Sequence, residues 1–198
     1  MHAHSLTGAQ DARIEWLGRR SAAPTVGVVA FAAMMVLGAH VRIPLPWTPV
    51  PFTLQTLFLY LAGATLGPGL GVASQALYLG LGASGLPVFA GPQAGLAWMW
   101  GSATTGYLLG FLAAPVATGW LLRRRSAPGL GWILLSMGCG SVVVYACGTT
   151  WLAWSLRLDL GPALLQGVAP FVIGDLMKLG AAATLYRGSQ RRAQLRVP

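Results

Sequence analysis

Lys178 is the only lysine in the chain; the other twelve basic residues are arginine. It stands three residues after Asp175, inside the apolar run Pro170-Phe-Val-Ile-Gly-Asp-Leu-Met-Lys-Leu-Gly180. On a helix of 3.6 residues per turn, that spacing puts the two side chains on one face, about 60° apart. A carboxylate that accepts hydrogen bonds beside an ammonium that donates them can do one of two things. The two groups can neutralise each other, or together they can hold one molecule that carries N–H donors as well as a carbonyl or carboxylate.

The elements that must position this pair are membrane helices. Of 198 residues, 55% are hydrophobic and only 9% charged, and the mean hydropathy is +0.64. Soluble domains average about 25% charged residues, so the composition predicts an all-α integral membrane protein. At about 20 residues per crossing, the length allows about six transmembrane helices with short loops. A charged group at mid-membrane costs about 2.5–3.5 kcal/mol on insertion scales and usually faces a bundle interior or a cavity. Stability alone is a weak reason to keep such a pair, because a buried ion pair is often no better than an apolar replacement.

Breaker residues delimit the expected spans. Residues 1–23 read as a polar tail, 24–186 as the six-helix membrane domain and 187–198 as a basic tail. The spans are predicted near 24–41, 52–66, 71–83, 96–122, 132–156 and 163–186. Four prolines in eight residues (Pro44, Pro46, Pro49 and Pro51) forbid regular helix after the first span. Gly67-Pro-Gly-Leu-Gly71 turns the chain between the second and third. Spans of this order place ten arginines (Arg13, Arg19, Arg20, Arg123, Arg124, Arg125, Arg187, Arg191, Arg192 and Arg196) on one side and two, Arg42 and Arg157, on the other. That asymmetry predicts that both termini are cytoplasmic. The net charge of +9 then reflects topology and contact with anionic lipid heads, not nucleic acid.

The proline-rich segment and Ser84 to Gly95 are long for helix connections and carry apolar and aromatic residues at their edges. As a set, Trp47, Phe52, Phe89, Trp98 and Trp100 are expected to cover a pocket rather than to float in water, the alternative for any single Trp being a place in the interfacial belt. Ser102, Gly106 and Gly110 recur every four residues, as do Ala76, Gly80 and Ser84, and such faces allow close helix contact. Gly71, Gln75 and Tyr78 share a helical face, so an amide and a phenol point the same way. Tyr107 and Phe111, at i and i+4, read as packing residues unless a pocket adjoins them.

Five stretches in order carry a resemblance. They are Arg42-Ile-Pro-Leu-Pro-Trp-Thr-Pro-Val-Pro-Phe-Thr-Leu-Gln-Thr56, Leu66-Gly-Pro through Ser74-Gln-Ala-Leu-Tyr78, Gly85-Leu-Pro-Val-Phe-Ala-Gly91, Gly106-Tyr-Leu-Leu-Gly-Phe111 and Gly174-Asp-Leu-Met-Lys178. Over about residues 24–186 the chain resembles the biotin-specific substrate-binding components of energy-coupling factor (ECF) vitamin transporters. The resemblance implies biotin as the transported ligand, no cofactor, no enzyme activity, and two ATP-binding subunits plus a transmembrane coupling subunit as partners, with self-association an alternative. It places Asp175, Lys178 and Gln75 in the vitamin site. It also implicates Trp47 to Gln55, including Thr53, and Phe89 to Gly95 as covering segments, with Tyr78 and Tyr107 nearby. Gln75 departs from a shorter amide in relatives, and Val36 from the second small position of a docking patch on helix one.

Other chemistries are poorly served. Gly82-Ala-Ser-Gly85 matches the Gly-x-Ser-Gly of intramembrane serine proteases, but the histidines His2, His4 and His40 all precede Ser84, and serine is a poor nucleophile without a base. Cys139 and Cys147 are about 12 Å apart along one helix, too far to bridge, and no metal site is expected. A proton-coupled transporter would also use an intramembrane acid and base, without ATPase partners.

Overall fold

The computed structural model describes the backbone of residues 5–194 and the side chains of residues 23–192. Arg13, Arg19, Arg20, Arg196, His2 and His4 lie outside the residues whose side chains are described. The order of elements is α1 (Ser5–His40), β1 (Arg42–Ile43), β2 (Phe52–Thr53), α2 (Gln55–Ala83), α3 (Leu96–Gly101), α4 (Thr105–Leu122), α5 (Leu130–Leu156), α6 (Leu160–Gly167) and α7 (Val172–Gln194). Among the described residues, four stretches are long and apolar enough to cross a membrane: Ala23–His40, Gln55–Ala83, Thr105–Leu122 and Leu130–Leu156. Leu160–Gly167 and Val172–Arg192, bent by 51° at a short break, pass the same test together and count as a fifth where the pair is taken as one span.

Gln55–Ala83 is not one straight rod. Gly67 has φ 77° and ψ −174°, a backbone region essentially reserved for glycine. The amide of Gln55 donates to the Tyr78 hydroxyl at 2.8 Å, whereas 23 residues of straight helix would separate them by about 34 Å. Residues 55–66 and 68–83 therefore run back along each other. A β-carbon on Gly71 would sit 3.5 Å from the Ala62 carbonyl oxygen and the Gly63 α-carbon, which measures how closely the two limbs approach. The turn expected from the glycines and Pro68 is there, and Arg123 from the end of α4 lies over Gly67.

Several boundaries differ from the sequence expectation, the largest being that α1 begins at Ser5, within the stretch expected as a polar tail, and not near residue 24. The stretch expected as one helix over 96–122 breaks after Gly101, where the Ser102 hydroxyl accepts from the Thr104 backbone N–H at 3.2 Å and meets the Thr104 hydroxyl at 2.8 Å. Such local side-chain bonds offer the backbone an alternative to the helix ladder. The span expected over 163–186 breaks after Gly167, because Pro170 has no N–H to donate and disfavours helix at Ala169. At its other end α7 continues past Tyr186 to Gln194, with Arg191 and Arg192 in the last turn, where cations suit the helix dipole.

Small residues bring α4 against α5. β-carbons on Gly106 and Gly110 would collide with the α5 backbone at Cys147 and Val144. The matching stripe at Ala76, Gly80 and Ser84 does not pack in this way. All three are exposed, and Gly80 has nothing within 4 Å of an added β-carbon. The proline-rich segment forms a minimal antiparallel ribbon, pairing Arg42 with Thr53 and Ile43 with Phe52. It is anchored by the following Leu54 N–H, which donates at 3.1 Å to the carbonyls of Gly38 in α1 and of Val41 just beyond it.

Gly67→Ala is expected to destabilise the protein by about 1–3 kcal/mol from backbone strain alone, beyond the displacement of Arg123. Gly69→Ala, whose β-carbon meets nothing within 4 Å, should leave thermal unfolding in detergent unchanged. A Gly67→Ala protein as stable as the wild type would contradict this account of the reversal.

Candidate ligand-binding site

Asp175 lies in the first turn of α7 and Lys178 one turn on, both 7% exposed. Their side chains meet at 2.5 Å between Nζ and Oδ1. The ammonium also donates to the Thr53 backbone carbonyl at 2.7 Å and the Thr56 hydroxyl at 3.0 Å, which uses its three protons. A fourth side is covered by the Phe52 ring, whose centroid is 3.9 Å from Nζ. The carboxylate accepts from the Thr56 hydroxyl on Oδ1 at 3.0 Å and from the Tyr145 hydroxyl on Oδ2 at 2.6 Å. Both charges are thus met by several strongly polar partners, as burial in an apolar surrounding requires. Four segments converge here: β2, the first turn of α2, the middle of α5 and the start of α7.

The pair forms one wall of a cavity of about 320 Å³, within the range of roughly 300–1,000 Å³ typical of small-molecule sites. The rest of the wall is largely apolar and aromatic, with Phe52, Phe89, Trp98, Tyr107, Phe111 and Phe171 the largest contributors. Two irregular segments roof it, with Pro49 to Thr53 on one side and Phe89, Ala90 and Gln93 on the other. The guanidinium of Arg42 donates to the Ala90 carbonyl at 2.7 Å and joins the two roofs. A polar cluster at one wall of an aromatic chamber suits a ligand with a hydrogen-bonding head and an apolar body.

Of the residues singled out from the sequence, Phe52, Thr53, Gln55, Phe89, Trp98, Tyr107, Asp175 and Lys178 line this one cavity. Gln75 and Tyr78 do not. Gln75 is fully buried, with its amide donating to the Ser74 hydroxyl at 3.1 Å, and the Tyr78 hydroxyl accepts from Gln55. Tyr78 backs the wall instead, edge-on to Phe89 at 5.7 Å between centroids. Trp47 is 62% exposed and Trp100 51%, and neither reaches the cavity. Phe111, read as packing, contributes to the wall.

Thr56, Tyr145 and Phe171 went unremarked in sequence, although they complete the polar cluster and its aromatic border. Thr56 was within the motif that carried the resemblance. Tyr145 had no signal, because its meaning depends on α5 facing α7. Ser84 is exposed at the end of α2 and donates to the Leu81 carbonyl, outside the cavity wall. Among the described residues, no group of three or more His, Cys, Asp or Glu could hold a metal ion.

A family model described as the BioY family matches residues 12–195. The chain belongs to the BioY family. Among relatives, the biotin transporter BioY of Thermotoga maritima is 39% identical over 155 residues, covering 78% of this chain and 88% of that one. The biotin transporter BioY of Rhizobium etli is 38% identical over 165 residues, 79% and 87% of the respective chains. A crystal structure of the S-component for biotin from an ECF-type ABC transporter superposes with a TM-score of 0.80 at 24% identity, covering 87% of this chain and 93% of that one. BioY membership together with several long apolar helices makes this a multi-pass membrane protein.

Removing one partner of the buried pair should be worse than removing both charges. Lys178→Met leaves the Asp175 carboxylate without its counter-charge and is expected to cost about 3–5 kcal/mol. Asp175→Asn combined with Lys178→Met should recover most of that loss in thermal unfolding of the detergent-solubilised protein. A double variant no more stable than Lys178→Met alone would show that charge pairing is not what holds these segments together.

Proposed function

We propose that this protein captures biotin from outside the cell and serves as the substrate-specificity subunit of an ATP-driven ECF transporter in the cell membrane. The observation that carries the proposal is the Asp175–Lys178 pair, set in the wall of an aromatic cavity, in a chain of the BioY family. Biotin offers two ureido N–H donors, a ureido carbonyl, an apolar bicycle and a carboxylate. With Tyr145, Thr56 and Lys178 in place, Asp175 keeps one of its about four acceptor sites to take an N–H group of the ligand. Lys178 has no spare proton, so a carbonyl or carboxylate of the ligand must exchange with Thr53 or Thr56. Displacing Thr53, which belongs to the roof, couples ligand binding to movement of the first loop, whereas displacing Thr56, in α2, does not.

Six spans with cytoplasmic termini are the topology that best accommodates the helices. The reversal at Gly67 supplies two crossings from α2, and α6 with α7 supplies the last. Ten arginines against two then lie on the cytoplasmic side. On that side Arg124 stands 3.9 Å over the Trp120 ring and Arg125 4.1 Å over Trp132, arrangements suited to the edge of an anionic bilayer. The chain supplies no ATPase of its own. Its one lysine lies in Asp-Leu-Met-Lys-Leu-Gly, not in a Gly-x-x-x-x-Gly-Lys phosphate loop. Two ATP-binding subunits and a transmembrane coupling subunit are the partners this requires.

Calorimetry on purified protein should detect binding of biotin and none of riboflavin or thiamine. Asp175→Asn or Lys178→Ala should weaken biotin binding about tenfold or more, about 1.4 kcal/mol. Wild-type protein that does not bind biotin overturns the proposal, and unchanged isotherms in both variants remove the pair from the site. In cells, uptake should require the coupling subunits and persist when the proton gradient is collapsed while ATP is maintained. The opposite result would indicate a proton-coupled transporter.

A further inference from the structure

Three aromatic rings make up much of the cavity wall: Phe52 from the first roof, Phe89 from the second and Tyr107 from α4. Behind each lies a glycine that does not itself line the cavity. A β-carbon on Gly174 would come closer than 3.0 Å to the Phe52 ring, one on Gly82 to the Phe89 ring, and one on Gly148 to the Tyr107 ring. Real β-carbons do not approach other atoms that closely, so each ring occupies space that any other residue would claim.

The rings are also hemmed in elsewhere. Phe89 is held between the edge of Tyr78, at 5.7 Å, and Trp98, at 5.2 Å between centroids. Tyr107 is fixed by its hydroxyl, which donates to the Gly167 carbonyl at 2.8 Å. Phe52 lies parallel to Phe171 at 6.4 Å, with the Lys178 ammonium over its face. Each ring already lines the cavity, so a ring pushed off its glycine is pushed toward that space. Glycine within a helix is disfavoured relative to alanine, yet all three positions are helical, in α2, α5 and α7. Neighbouring glycines on the same helices lack this constraint: Gly80 and Gly180 meet nothing within 4 Å, and Gly138 meets only the Leu179 methyl at 3.9 Å.

We infer that Gly82, Gly148 and Gly174 set the width of the cavity and so decide which ring systems it admits, as specificity-determining positions that do not touch the ligand. The inference rests on the biotin-binding reading of this cavity. It predicts that widening or narrowing acts on the fused bicycle of biotin more than on desthiobiotin, whose single ring lacks the sulfur bridge.

The test measures dissociation constants for biotin and desthiobiotin by calorimetry. Gly82→Ala, Gly148→Ala and Gly174→Ala should each weaken biotin binding about tenfold and lower the preference for biotin over desthiobiotin. Gly80→Ala, Gly138→Ala and Gly180→Ala should match the wild type. In a Phe89→Leu background, whose smaller side chain leaves room for the added methyl, Gly82→Ala should cost about threefold or less. Seat variants that bind like the controls overturn the inference. Equal loss of both ligands without relief by Phe89→Leu does so as well, because it indicates general damage to the fold. Wild-type protein that binds neither ligand overturns the functional reading and the inference together.

Discussion

A carboxylate and an ammonium buried among apolar helices must find every hydrogen-bond partner inside the protein, and that requirement organises this molecule. Asp175 and Lys178 recruit Thr53 and Thr56 from across 125 and 119 residues of sequence, and Tyr145 from α5. Satisfying the two charges therefore brings the first loop, the start of α2, α5 and α7 to one point. In a low-dielectric interior each of these bonds is worth more than in water, and each missing one costs more. The cavity lies beside this junction because the groups that neutralise the pair stand at the edge of the space the helices leave open.

The roofs obey the same rule. Irregular backbone at membrane depth survives only where protein or a cavity satisfies its polar groups. The first roof does so through the short β1–β2 ribbon and the Leu54 bonds to α1. The second uses the Gly95 N–H to the Gly82 carbonyl, and the Arg42 guanidinium on Ala90. Lys178 on Thr53 joins the first roof to the floor.

Much of the architecture was legible in one dimension. The apolar stretches, the turn at Gly67, the proline-rich cover and the shared face of Asp175 and Lys178 all followed from composition and helical spacing. The breaks inside the expected fourth and sixth spans were not anticipated. The first depends on a Ser102–Thr104 turn, and the second on how far one proline propagates its effect. Hydropathy averages over both. The site was half legible: Thr53, Gln55, Phe89 and Tyr107 join the pair in the wall, while Gln75, Tyr78 and Trp47 stand elsewhere. Shared helical faces indicated that Gln75 and Tyr78 point inward, which they do, but could not say that Phe89 comes between Tyr78 and the cavity.

Residue type, spacing and charge asymmetry are local quantities, and they were enough to make this a membrane-helical protein with one acid–base pair of unusual importance. Those quantities carry no information about which faces of distant helices meet. Tyr145 acquires its role only because α5 turns that face toward α7. Gly82, Gly148 and Gly174 acquire theirs only because an aromatic ring from another element lies against each. The shape of the cavity belongs to packing between segments far apart in sequence, and packing at interior density is decided in three dimensions.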